Sequence, residues 1–187
     1  MKISWAAATG YQLDPVLDIE TIKQVGPIWG SYITWRSCST DNVVCHSASR
    51  AQDLIRRNFH QKCNFYTYHD NFQLIGRPSN INLYHGMGDF ELAVDNIDDI
   101  VSMNLAASAS DIVLLLGFSF ADPGTPTDQF ELHKITNWHG LVRSCIAQNT
   151  ETQWVAVDHN GKMNKRYAEL PNLSSDKMEN VLKLLAQ

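Results

Sequence analysis

The sequence predicts a three-layer, Rossmann-like α/β domain with a mostly parallel sheet, occupying residues 1–187 as one domain. Three observations predict it. Strand-like segments alternate with helix-like segments long enough to cross a sheet, which implies parallel crossover connections. The longest apolar run, "DIVLLLGFSFA" at 111–121, is strand-sized and lacks polar alternation, as a strand covered on both faces should. The helix-like segment at 47–62 sets its apolar residues on a single face, as a helix packed on a sheet should.

Taken in order, "KISWAAAT" (2–9) reads as the first strand. "DPVLDIETIKQVG" (14–26) reads as a short helix with Asp14 as N-cap, Pro15 in its first turn and Gly26 closing it. "GSYITWRSC" (30–38) and "DNVVCH" (41–46) place β-branched and aromatic residues between turn formers, and both read as strands. "SASRAQDLIRRNFHQK" (47–62) reads as a helix capped by serine, with Ala51, Leu54, Ile55 and Phe59 on one face. "CNFYTYH" (63–69) and "NINLYHG" (80–86) return to strand character, with "DNFQLIGRPS" (70–79) as the loop between them.

The stretch 89–110 is helical, with a break near Asp95, and runs into "DIVLLLGFSF" (111–120), the central strand. A helix over 128–149 turns Ile135, Trp138, Val142 and Cys145 to one side and His133, Asn137, Gly140 and Ser144 to the other. "QWVAVDH" (153–159) is the next strand. "SSDKMENVLKLL" (174–185) is the last helix, with Ser174 or Ser175 as cap and Lys183 near its end.

Composition narrows the function. The chain is 44% hydrophobic and 19% charged, with a net charge of −5, so no broad positive field exists to hold nucleic acid or an anionic membrane. Arg50, Arg56, Arg57 and Lys62 form the solvated face of a helix or a local basic patch. Neither a secretory leader nor a membrane-length apolar run is visible, so a soluble protein of the cytoplasm is expected. The four cysteines lack a C-x2-C pair and should stay reduced. Homo-oligomer formation is left open, because a helix-covered sheet edge often dimerises.

In a parallel sheet the residues just past the C-terminal strand ends gather along one edge, where ligands bind. Thr9 and Gly10 follow the first predicted strand, His46 and Ser47 follow "VVC", and His69 and Asp70 follow "FYTY". His85 follows "NLY", Gly117, Ser119 and Asp122 accompany "GFSF", and Asp158 and His159 follow "VAV". Four of the seven histidines thus sit at strand ends. Imidazoles there can act as general acid or base near neutral pH, and Asp158 can accept hydrogen bonds from sugar hydroxyls. The plainer reading is that strands must exit into polar residues, and His and Asp are ordinary there.

The segment "GPIWGSYITWRSCSTDN" brings Trp29 and Trp35 close to Asp41 and Asn42, the mixture that a base or sugar-ring pocket requires, although both tryptophans also suit a core. Neither a G-x-G-x2-G nor a G-x4-G-K-[ST] arrangement occurs, so a standard dinucleotide or P-loop cradle is excluded. Helix starts at Ser47 and Ser49, or at Thr125, Thr127 and Asp128, offer phosphate sites or simple caps. No H-x3-H or H-E-x2-H spacing points to a metal. If the strand continues through both, Cys45 and His46 face opposite ways and make no nucleophile–base pair.

"LYHG" followed by "DIVLLLGFSFADP" resembles the HG and G-[YF]-S-x-x-D-P stretches of sirtuin-like NAD-consuming domains, in the same order. The resemblance implies His85 as catalytic histidine, with Gly117 and Ser119 at the cofactor. "IVLLLGFSF" is also similar to the LiGfD-type strand of Rossmann-like sialyltransferases, whose domain holds a nucleotide sugar; Ser119 stands where that strand has its acid.

The expectation is therefore a small polar ligand, a nucleotide or nucleotide-derived group, at the C-terminal sheet edge, with no cofactor named by the residues themselves. In a transferase or hydrolase, His46, His85 or His159 would serve as acid or base and Asp158 would position the substrate. The rival is a non-catalytic interaction protein built on the same scaffold.

Overall fold

The computed structural model describes residues 1–8, 19–85, 97–118, 120, 129–157, 163 and 165–185. Its centre is one eight-stranded sheet in which every strand pair is parallel. The strands are β1 (Ile3–Ala7), β2 (Ile28–Ser31), β3 (Asn42–Cys45), β4 (Asn64–Tyr68), β5 (Ile81–Tyr84), β6 (Ile112–Leu116), β7 (Gln153–Val157) and β8 (Leu173–Asp176). They lie in the order β5-β4-β3-β2-β1-β6-β7-β8. Between and after them come α1 (Ile19–Val25), α2 (Tyr32–Cys38), α3 (Ala48–Arg56), α4 (Asn71–Leu74), α5 (Ile97–Ala109), α6 (Gln129–Gln148), α7 (Lys165–Ala168) and α8 (Met178–Leu185). The result is the three-layer Rossmann-like arrangement the sequence predicts.

Strand alternation decides which face each side chain enters. Trp5 and Ala7 of β1, with Leu114 and Leu116 of β6, pack on Ile22 of α1, Cys38 of α2 and Met178 and Val181 of α8. Ala6, Val113 and Leu115 point the other way, onto Ile100 and Met103 of α5 and Val142 and Cys145 of α6. Both faces of β1 and β6 are therefore covered, which is why those strands read as apolar without a polar phase. The chain builds outward from β1 to β5, then returns through α5 to place β6 on the other side of β1. Right-handed crossovers require that reversal to move the helices to the opposite face, and α5 and α6 are found there.

The local departures from the sequence reading have physical causes. The strand expected over 30–38 ends at Ser31, and α2 begins at once. Ser31 is the cause: its Oγ accepts the Thr34 N–H at 3.2 Å, an N-cap that turns the chain before its β-branched residues can extend. Tyr32 and Trp35 then lie one helical turn apart and both meet Phe59 edge-on. Ser174 and Ser175 are not helix caps but residues of β8; Asp176 holds the start of α8, accepting from Lys177 N at 2.7 Å and Asn180 Nδ2 at 2.8 Å. The expected loop at 70–79 contains α4. Asp14, Pro15 and Asp95 lie outside the described residues.

The α6-to-β7 and α7-to-β8 connections are locked by one amide. The buried Asn172 Nδ2 donates to the carbonyls of Ile146, Asn149 and Thr152, each at 3.1 Å. Asn172→Ala would leave buried carbonyls without a donor and is expected to cost about 2 kcal/mol, read as a lower midpoint in chemical denaturation with an unchanged slope.

Candidate functional site

The strand order reverses between β1 and β6, and a ligand crevice in this class of sheet opens outside the carboxyl ends of the strands at such a point. There the Ala8 N–H bonds the Leu116 carbonyl at 2.9 Å, extending the ladder one residue past β1. Gly117 then turns out of β6 with φ 71°, a left-handed conformation that glycine adopts without strain. Thr9, Gly10, Ser119, Asp122, Asp158 and His159 lie outside the described residues. By chain position, Thr9 and Gly10 follow Ala8 directly, and Ser119 stands two residues past Gly117.

The most developed group of side chains lies along the same edge at the ends of β3, β4 and β5. His46, one residue past β3, hydrogen-bonds through Nδ1 to the Tyr84 hydroxyl at 2.7 Å. Its ring lies 5.2 Å from that of Tyr68 and 6.2 Å from that of Tyr84, so two phenols flank one imidazole. The backbone is held as firmly as the ring. His46 N–H donates to Asp98 Oδ1 at 2.8 Å, and the His46 carbonyl accepts from Asn71 Nδ2 at 2.6 Å. Asn71 is itself steadied on Thr67 Oγ1, whose hydroxyl donates to the Cys45 carbonyl.

Asp98 sits in the first turn of α5, the helix that folds back over β1, β2 and β3. Its carboxylate is nearly enclosed, and burial pushes its pKa upward against the opposing pull of the His46 N–H and the Arg50 guanidinium 4.0 Å away. Burial likewise raises the Tyr84 pKa, with the neighbouring Asp98 charge adding to it, so the phenol keeps its proton. A protonated phenol can donate to or accept from Nδ1, and the His46 ring can therefore carry its proton on either nitrogen. With Nδ1 engaged by the phenol, Nε2 is the ring nitrogen left to give or take a proton.

His85 belongs to a different pairing. Its ring stacks on His69 with centroids 4.7 Å apart, and His69 Nδ1 lies 3.4 Å from Asp70. Tyr84, the residue before it, points to the α5 side with Val44 and Val101. β5 is also five strand spacings from β6, roughly 24 Å at about 4.8 Å each, so His85 and Gly117 do not meet in one pocket. His46 is closer, three spacings or roughly 14 Å away.

Ser47 adjoins His46 and caps α3, its Oγ accepting Arg50 N–H at 3.5 Å and lying 3.1 Å from Ser49 Oγ. Asp41 and Asn42 are placed at the other end of the sheet. Asp41 accepts from the Ile28 N–H at 2.9 Å and pairs with Lys23 at 3.1 Å, fixing the start of β2, while Asn42 Oδ1 accepts from Asn64 Nδ2 at 3.1 Å. The structure does not bring these two to the edge that carries His46. Trp29 and Trp35 are used in packing, Trp29 against Tyr66 and Trp35 against Phe59.

Tyr68, Tyr84, Arg50, Asn71 and Asp98 are the members of the group that strand-end reasoning missed. Tyr84 reads as a strand residue, and Asp98 as one acid of a helix start; only the neighbouring of β3 and β5 through β4 joins them. All four cysteines are free thiols, and burial holds Cys45 up at about 12, so it supplies no thiolate beside His46. Among the described residues no three His, Cys, Asp or Glu side chains are grouped to hold a metal, and no helix is long and apolar enough to cross a membrane. Comparison of the chain with protein-family models, with curated proteins and with solved structures finds no match.

Proposed function

We propose that the C-terminal sheet edge binds a nucleotide or nucleotide-derived group and that His46 acts there as general acid or base in a transfer or hydrolysis reaction. The observation that carries this reading is the double clamp on His46: its ring is oriented by Tyr84 and its backbone by Asp98 and Asn71, a degree of fixing that a simple strand exit does not need.

The electrostatics of the two nearby helix starts favour one place for a phosphate. The first turn of α5 already holds Asp98 and Asp99, which repel an anion. The first turn of α3 contains no acid, and Ser47, Ser49 and the half-exposed Arg50 surround it. A phosphate at α3 would lie beside His46, while the rest of an extended ligand runs toward the β1–β6 crevice.

The test is a thermal-shift screen of the protein with NAD, nucleoside mono- and triphosphates and nucleotide sugars. A ligand at about one hundred times its Kd adds roughly 2.7 kcal/mol to the native state and raises Tm by roughly 5–11 °C for a chain of this size. We expect one nucleotide class to do so, and Arg50→Ala and His46→Ala to weaken the effect. No shift with any of them would reject nucleotide binding and favour the interaction-protein alternative.

A further inference from the structure

We propose that the opposite, N-terminal edge of the sheet carries a second, independent site that takes an uncharged polyhydroxylated ligand such as a saccharide. A cavity of about 470 Å³ opens there at the starts of β4 and β5, within the size range of small-molecule sites. It is lined by His60 and Gln61 from the short 3₁₀ turn Phe59–Gln61, by Asn64, and by Asn80 and Asn82, with Cys63 and Ile81 completing the wall.

The lining decides the ligand class. It holds four carboxamides and no carboxylate, ammonium or guanidinium, so nothing in the wall rewards a charged ligand. Burial raises the Cys63 thiol to about 11, which keeps it neutral as well. Each carboxamide offers two donors and an acceptor, matching hydroxyl groups that both donate and accept. Much of that capacity is unspent. Asn64 Nδ2 goes to Asn42 and Asn82 Nδ2 reaches the Phe65 carbonyl at 3.4 Å, but neither residue's carbonyl oxygen has a partner among the described residues. His60 Nδ1 is buried without a hydrogen-bond partner, a further polar atom in the wall that a hydroxyl could meet. Ile81 is the one large apolar side chain in the wall and no flat aromatic pair brackets the space, which argues against a nucleobase.

The backbone is shaped to present these amides. Asn80 stands at φ 65°, in the left-handed region that Asn tolerates better than most residues, immediately before edge strand β5.

The experiment is an NMR titration of the full chain, following side-chain amide signals, with N-acetylglucosamine, maltose and myo-inositol as neutral probes and glucose 6-phosphate and adenosine as controls. Saturable shifts of the Asn64, Asn80 and Asn82 amides with a neutral probe are expected. The double variant Asn80→Gly, Asn82→Ala, which keeps the left-handed backbone and alters exposed residues, should weaken binding about tenfold. Shifts only with adenosine or only with glucose 6-phosphate would overturn the ligand class. A saccharide response unchanged in the double variant, or no response to any neutral probe, would overturn the site. His46→Ala should leave the titration unaltered, which separates this outcome from that of the C-terminal edge.

Discussion

Gly26→Ala should destabilise the protein by about 3 kcal/mol and lower Tm by roughly 6–12 °C. A Cβ at Gly26 would lie 2.8 Å from the Ile3 carbonyl carbon and closer still to its oxygen. Both are backbone atoms of the central strand β1, which cannot step aside. The Pro27 carbonyl accepts the Trp5 N–H at 2.9 Å, and Trp5 Nε1 donates to the Ile22 carbonyl at 2.9 Å, so the α1-to-β2 turn is fastened to β1 on both sides of the glycine. Gly140 is the matched control. A Cβ there meets nothing within 4 Å on an exposed position of α6, and Gly140→Ala should stabilise by about 1 kcal/mol. Thermal denaturation of the two variants side by side checks both signs. An unchanged Tm for Gly26→Ala would mean that the turn does not sit against Ile3.

Asp98 yields the second large effect, and its sign depends on which substitution is made. Asp98→Ala strips the acceptor from the His46 N–H and opens space beneath the site; a loss of about 2 kcal/mol is expected together with loss of ligand response. Asp98→Asn keeps a carbonyl acceptor and removes a buried charge. Because burial raises the folded-state pKa above its ordinary 3.8, the native protein holds this proton at pH values where the unfolded chain has released it. Stability from this group is therefore greatest at low pH and is lost as pH rises through the raised value. Asp98→Asn should flatten that decline and leave the protein at least as stable as the parent at neutral pH. Denaturant midpoints measured from acidic to neutral pH test this. A neutral-pH loss in Asp98→Asn equal to that in Asp98→Ala would show that the Arg50 ion pair outweighs the burial cost.

How far the sequence could be read depended on whether the deciding interaction was local. β6 was legible because five consecutive apolar residues covered on both faces have no other ready explanation, and Ser47 was legible because a cap acts within its own helix turn. α2 was not. Tyr32, Ile33, Thr34 and Trp35 prefer extended chain, and it took the Ser31 cap and the packing of Tyr32 and Trp35 on Phe59, more than twenty residues away, to make them helical. β8 contributes one apolar residue, Leu173, and draws its identity from pairing with β7. The same division holds at the site. That histidines end strands is visible in the sequence; that His46 meets Tyr84 and Asp98 while His85 meets His69 depends on strand order and on which face each side chain enters.

The position of β1 at the middle of the sheet also sets a timetable. Its pairing with β6 joins Ile3 to Ile112 and Ala7 to Leu116, across more than one hundred residues. As the chain leaves the ribosome, β1 to β5 can assemble in sequence, each against the last, while the other flank of β1 waits with its backbone groups unpaired. Such a half-sheet is open to pairing with another nascent chain until β6 emerges. Folding of this protein should accordingly be limited by arrival and docking of its last three strands, and yield on synthesis should fall when chains are crowded or when translation stalls before residue 112.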